Sequence, residues 1–206
     1  VFYPKDGVSR VQELQMVTQK GNNTAVVAIH GNFDDAQTGV KHIFSDKEFG
    51  KELADKGFVL SSANSINIGR LIPQIVYYVY AYGQLLNNGE IGEGEKIHVT
   101  VPTGNFGNIL AAYFAKQMGV PIDKLICASN DNKVLYDFFQ TGTYDKNRDF
   151  LLTISPSMDI LISSNLERLV YLSTGCNTCQ TADLMASLAE NGTYTVSEAM
   201  RQRMAD

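Results

Sequence analysis

The feature that most constrains this chain is a strand that passes to a helix through Pro102-Thr103-Gly104-Asn105-Phe106-Gly107-Asn108. The β-branched run at 97–101 predicts the strand, and the apolar spacing that begins at Ile109 predicts a helix over 109–118. Similar handovers recur. An apolar stretch at 25–29 ends at His30-Gly31 and gives way to a helical pattern through Ile43 and Phe44, with Asp34 or Asp35 as the expected N-cap. A strand expected at 58–61 precedes Asn64-Ser65-Ile66-Asn67, after which Leu71, Ile75, Tyr78, Val79 and Tyr82 mark a long amphipathic helix. A strand at 124–128 is followed by a helix at 134–140. Strands and helices alternating at this spacing predict an α/β protein whose parallel sheet carries helices on its faces.

The flanks add less. A helix over 8–18 has Ser9 at its mouth and Gly21-Asn22 at its end. The section 141–157 is polar and long for a connection without structure, which points to function or mobility. Beyond it only helices are expected, at 166–172, 181–189 and 197–204, and no internal repeat is read.

Composition narrows the partners. Of the 206 residues 44% are hydrophobic and 19% charged, enough apolar material for one large core or two small ones. Seventeen basic and 22 acidic residues give a net charge of -5, without a Lys/Arg run that could track a phosphodiester backbone, so nucleic acid is not an expected partner. The longest apolar stretch, near 72–82, is broken by Gln74 and falls short of the ~20 residues that a bilayer requires. A soluble protein is expected. The first residue is Val1 and no signal or transit pattern follows it, so the reading expects a start internal to a longer protein. The cysteines Cys127, Cys176 and Cys179 form no even framework, which suits a reducing compartment and makes the cytoplasm the expected location.

Two segments could carry chemistry. Gly104-Asn105-Phe106-Gly107-Asn108 lies at a helix mouth, where unpaired N–H groups and the helix dipole favour an anion such as phosphate. The glycines allow close approach and the asparagines add neutral donors; the same residues also suit a tight βα turn that binds nothing. The segment matches neither the Walker loop nor the dinucleotide fingerprint. Asn64-Ser65-Ile66-Asn67-Ile68-Gly69-Arg70 offers a second anion site, with the guanidinium fork of Arg70 beside the neutral donors of Asn64 and Ser65, or else a capped helix with a solvated arginine. Two anion sites in one chain suggest a phosphorylated cofactor beside an anionic substrate. Cys176-x-x-Cys179 has redox spacing but no second pair, so no metal is expected. No serine occupies a Gly-x-Ser-x-Gly elbow, which leaves a hydrolase triad without a nucleophile.

These two segments resemble, in this order, those of threonine synthase among the fold-type-II pyridoxal-phosphate enzymes. The likeness extends to Val1-Phe2-Tyr3-Pro4-Lys5, to the stretch from His30 to Gln37, to Ser62 through Arg70 with Gln74 and Tyr77-Tyr78, to Val101 through Asn108, and to Ser157-Met158-Asp159. It runs to about residue 170.

The resemblance implies conversion of O-phospho-L-homoserine and water to L-threonine and phosphate on pyridoxal 5'-phosphate, whose chemistry the protein orients. It implies that Gly104, Asn105, Phe106, Gly107 and Asn108 bind the cofactor, and that Asn64, Ser65 and Arg70 bind the phosphorylated amino-acid substrate. It also implies a smaller mobile α/β domain over residues 1–95 and part of a larger cofactor-binding α/β domain over 96–206, with the site between them. The family's Schiff-base lysine has no counterpart in this chain, so no catalytic residue is assigned and the isolated chain is expected to be inactive without the remainder of its polypeptide. Missing strands in the larger sheet would leave edges that favour self-association. Two alternatives stay open: a threonine-synthase-like phospho-lyase that eliminates phosphate without making threonine, and a non-catalytic module that binds phosphorylated ligands.

Overall fold

A computed structural model describes residues 1–62, 67–155 and 158–205, the side chains of Phe33, Asp34 and Gln37 excepted. The chain divides into two compact units, Val1–Ser61 and Ser62–Asp206. The helix that follows Asn67 packs on later elements of the second unit, its Leu71 entering their core.

In the first unit β1 (Phe2–Pro4) pairs in parallel with β2 (Val27–Ile29), and α1 (Arg10–Val17) lies between them in the chain. Ser9 caps α1 in a reciprocal box: the Gln12 N–H donates to Ser9 Oγ at 3.3 Å and the Ser9 N–H to Gln12 Oε1 at 3.1 Å. Next come α2 (Phe33–Ser45) and α3 (Lys47–Asp55). The cap of α2 is Asn32, neither of the expected aspartates. Asp35 instead occupies the third helical position, where its carboxylate accepts from the Asn32 N–H at 2.8 Å while its own N–H donates to Asn32 Oδ1 at 3.0 Å. No strand forms at 58–61. The chain leaves α3 through Gly57 (φ 79°), with the Phe58 N–H donating back to the Leu53 carbonyl, and Val59 is 90% exposed, without the pairing a strand needs.

The second unit begins with α4 (Ile68–Asn87), followed by β3 (Ile97–Pro102), α5 (Gly107–Gln117), β4 (Ile122–Ala128) and α6 (Val134–Thr141). β3 and β4 are parallel, with Val101 opposite Cys127 and Pro102 opposite Ala128, so both strands end at one edge. Ligands of open α/β sheets bind at such an edge. Val101, Phe106, Ile109, Leu110, Leu135 and Phe138 are among the residues that build the core here.

The remainder contains β5 (Thr143–Asp145), α7 (Leu166–Ser173), α8 (Thr178–Asn191), β6 (Thr193–Thr195) and α9 (Glu198–Ala205). The two strands overturn the expectation of helices alone after residue 157 and of an unpatterned 141–157. They also reveal a short repeat that the sequence reading passed over. Gly142-Thr143-Tyr144 and Gly192-Thr193-Tyr194 each follow a helix, with the glycine as a left-handed C-cap (φ 76° in both). The strands pair antiparallel, so Tyr144 faces Tyr194 with rings stacked at 5.4 Å, and Phe138 meets both rings at 5.7 Å. Asn177 caps α8, where the sequence had suggested a start at Thr181.

Candidate phosphate-binding site

The site is built where β3 ends. The Thr103 N–H donates to the Ala128 carbonyl at 2.9 Å, the last bond of the β3–β4 ladder, and the chain then turns into α5 over three residues. Phe106 is the N-cap of α5 with φ 63° and ψ -2°, a left-handed conformation that costs a bulky residue energy and is held here by the burial of its ring. No side chain caps α5. The N–H groups of Gly104 to Asn108 have no partner among the described residues, so the positive end of the helix presents a set of unmatched donors.

From α4 a second helix mouth approaches. Asn67 caps it, accepting from the Gly69 N–H at 2.9 Å and donating through Nδ2 to the Ser62 carbonyl at 3.0 Å. Arg70 therefore falls in the first turn of α4, and Gln74 follows one turn on, its Nε2 donating to the Arg70 carbonyl at 3.1 Å. Arg70 and Gln74 line one cavity with residues Val101 to Ile109, Gly107 among them, and its volume is about 450 Å³. A cavity of that size, with the Arg70 side chain and the mouth of α5 on its wall, suits small anionic ligands.

α4 and α5 are joined at this wall. The Tyr78 hydroxyl donates to Asn108 Oδ1 at 2.7 Å, which turns the Nδ2 donor of Asn108 away from Tyr78. Burial pushes the Tyr78 phenol up, so it stays a donor through the neutral range.

Behind the loop lies a polar segment that sequence reasoning missed. Ser163 Oγ donates to the Gly104 carbonyl at 2.8 Å, and Asn165 donates to the Asn105 carbonyl from its backbone N–H at 3.1 Å and from Nδ2 at 2.8 Å. Asn165 is fully buried, and Arg168 donates to its Oδ1. Further back, the buried Asp159 carboxylate accepts from Asn130 Nδ2 at 2.6 Å, Asn132 Nδ2 at 3.1 Å, the Thr153 N–H at 2.8 Å and Thr153 Oγ1 at 2.8 Å. That hub ties the turn after β4 to the segment leading to Ser163. In sequence, the polar run Ser163-Ser164-Asn165 just before a helical pattern was the available signal, and it reads first as a cap.

Of the residues expected to bind ligands, Gly104, Asn105, Phe106, Gly107, Asn108 and Arg70 are brought to one cavity; Asn64 and Ser65 lie outside the described residues. Asn105 Oδ1 is buried and accepts no bond among the described residues, an unmet acceptor at the loop. Cys176 and Cys179 are both exposed thiols, and among the described residues no cluster of His, Cys, Asp or Glu could hold a metal. No described helix is long and apolar enough to cross a membrane.

No protein-family model matches the chain. A solved structure of a PLP-bound threonine synthase from Brucella melitensis superposes with a TM-score of 0.83 at 42% identity, over 98% of this chain and 41% of that one. The architecture is therefore that of the fold-type-II pyridoxal-phosphate enzymes. Human threonine synthase-like 1 is 45% identical over 205 residues, and the threonine synthase of Saccharomyces cerevisiae is 43% identical over 171 residues. Over the residues matched, the chain is similar to proteins of the threonine synthase family. It spans 28% of the length of the human relative and 32% of the yeast one, while 98% and 83% of its own length is matched.

Proposed function

We propose that this chain is the part of a threonine synthase that holds both phosphate groups of the reaction, in a protein converting O-phospho-L-homoserine and water to L-threonine and phosphate with pyridoxal phosphate. The observation that carries the reading is the single cavity lined by Arg70 and by the mouth of α5.

Under this reading the cofactor's phosphate is held by the amides of Gly104 to Asn108 and by Asn108 Nδ2. The fit rests on the donors there, which have no partner among the described residues and lie at a helix N-terminus. When bound, the cofactor supplies the electron sink for elimination and replacement at the substrate's carbon chain. Arg70, with Asn64 and Ser65, grips the substrate's phosphate, which is also the leaving group. A guanidinium keeps its charge at every working pH and offers paired donors to phosphate, so it can receive the negative charge that grows as the bond to oxygen breaks. The amide of Gln74 adds a neutral group to the same wall. The lysine that carries the cofactor is assigned to the remainder of the polypeptide, and the isolated chain is expected to be inactive. The cytoplasm is its proposed location.

A second reading is a threonine synthase-like protein, the name borne by the human relative at 45% identity, that eliminates phosphate without formation of threonine. Supplying the full-length protein with O-phospho-L-homoserine and identifying the organic product separates the two. Threonine supports the first reading, 2-oxobutyrate the second, and no phosphate release at all contradicts both.

A further inference from the structure

The loop at the mouth of α5 can bind an anion only if its peptide units face the right way, and that orientation is set from behind. In a trans peptide the carbonyl and the N–H of one unit point in opposite directions. The Gly104 carbonyl shares its unit with the Asn105 N–H, and the Asn105 carbonyl with the Phe106 N–H. Ser163 Oγ holds the first carbonyl at 2.8 Å, and Asn165 holds the second twice, at 3.1 Å and 2.8 Å. Both N–H groups are thereby turned away from the segment 163–165 and toward the cavity, to whose lining Ser163 and Asn165 do not belong.

The restraint opposes a real alternative. Phe106 at φ 63° is in the left-handed region, where a bulky side chain is strained. Rotating the Asn105–Phe106 peptide unit would return Phe106 to an ordinary negative φ. The same rotation would put the Asn105 carbonyl where the N–H had been, so an acceptor would face the anion in place of a donor. Asn165 prevents this with two donors, and Arg168, bonded to Asn165 Oδ1, keeps the Asn165 amide from exchanging its ends.

We infer that Ser163 and Asn165 are positioning residues that fix the donor polarity of the phosphate loop, a role that rests on reading this loop as the cofactor-phosphate site. The test uses the full-length protein freed of cofactor and compares the dissociation constants of pyridoxal phosphate and of pyridoxal, which lacks the phosphate. Ser163→Ala is expected to weaken pyridoxal phosphate about tenfold, the loss of one well-placed bond, while pyridoxal binding stays level. Asn165→Asp, which keeps the shape but loses the Nδ2 donor, is expected to weaken it further, and Ser163→Thr, which keeps the hydroxyl, to restore it.

Affinities of Ser163→Ala and Asn165→Asp within about twofold of the parent, or equal losses for both ligands, overturn the inference. Asn108→Ala and Gly107→Val separate the two levels. If they weaken pyridoxal phosphate and Ser163→Ala does not, only the positioning role falls; if they too leave it unchanged, the cofactor-site reading falls with it.

Discussion

Tyr78 reaches from α4 to Asn108 in the first turn of α5, its hydroxyl 2.7 Å from the side-chain carbonyl. Because a phenol has one proton and Asn108 Oδ1 takes it, the Asn108 amide is locked with Nδ2 free to serve a ligand. Tyr78→Phe removes the lock and leaves the ring packing in place. Affinity of the full-length protein for pyridoxal phosphate should fall by about three- to tenfold, the range of one net hydrogen bond, with little change in Tm.

Asp159 predicts a larger effect on stability than on binding. Its carboxylate, 5% exposed, accepts four bonds from Asn130, Asn132 and Thr153. In Asp159→Ala the half-buried Thr153 N–H loses its acceptor and Asn130 and the buried Asn132 each lose one of two, a cost of about 3 kcal/mol. Differential scanning calorimetry of the full-length protein should show the transition of this region lowered by roughly 5 °C or more.

Thiol chemistry provides an independent check of burial. Burial pushes the Cys127 thiol up, and a hydrogen bond with Thr103 offsets part of that, so little thiolate exists near neutrality. Cys176 and Cys179 are exposed. Timed alkylation with iodoacetamide at pH about 7.5, read by peptide mass mapping, should label Cys176 and Cys179 well before Cys127.

The tyrosine stack predicts an alkaline limit. Burial, then Tyr144, then Glu167 raise the Tyr194 phenol above the ordinary 10.0, so the folded state holds this proton more tightly than the unfolded one. The associated stability is complete below pH 10.0 and declines as pH climbs past that value. Tm should therefore fall above pH about 10, and Tyr194→Phe should fall less steeply over the same interval.

Much of the second unit was legible because its signals are local. The run at 97–101, the glycines after it and the apolar spacing from Ile109 each point to one outcome, and β3, the turn and α5 follow in that order. The three-residue strands β1, β5 and β6 carry no such signal; β5 and β6 exist because Tyr144 and Tyr194, fifty positions apart in the chain, stack face to face. The opposite error arose at 58–61, where Val59 and Leu60 have strand propensity but pair with no strand among the described residues. For the site, the residues at the two helix mouths could be named from their chemistry. Ser163, Asn165 and Asp159 could not, since their function is to receive or hold backbone groups of segments distant in sequence, which only the folded chain specifies.

The account stands on Arg70 and the mouth of α5 serving two phosphates in one cavity. Phosphorus NMR of the cofactor-loaded full-length protein, titrated with inorganic phosphate as the product and leaving group, addresses this directly. Arg70→Ala should weaken inorganic phosphate by about tenfold or more while the cofactor's own phosphorus resonance stays in place. Inorganic phosphate bound as tightly by Arg70→Ala as by the parent protein would contradict it.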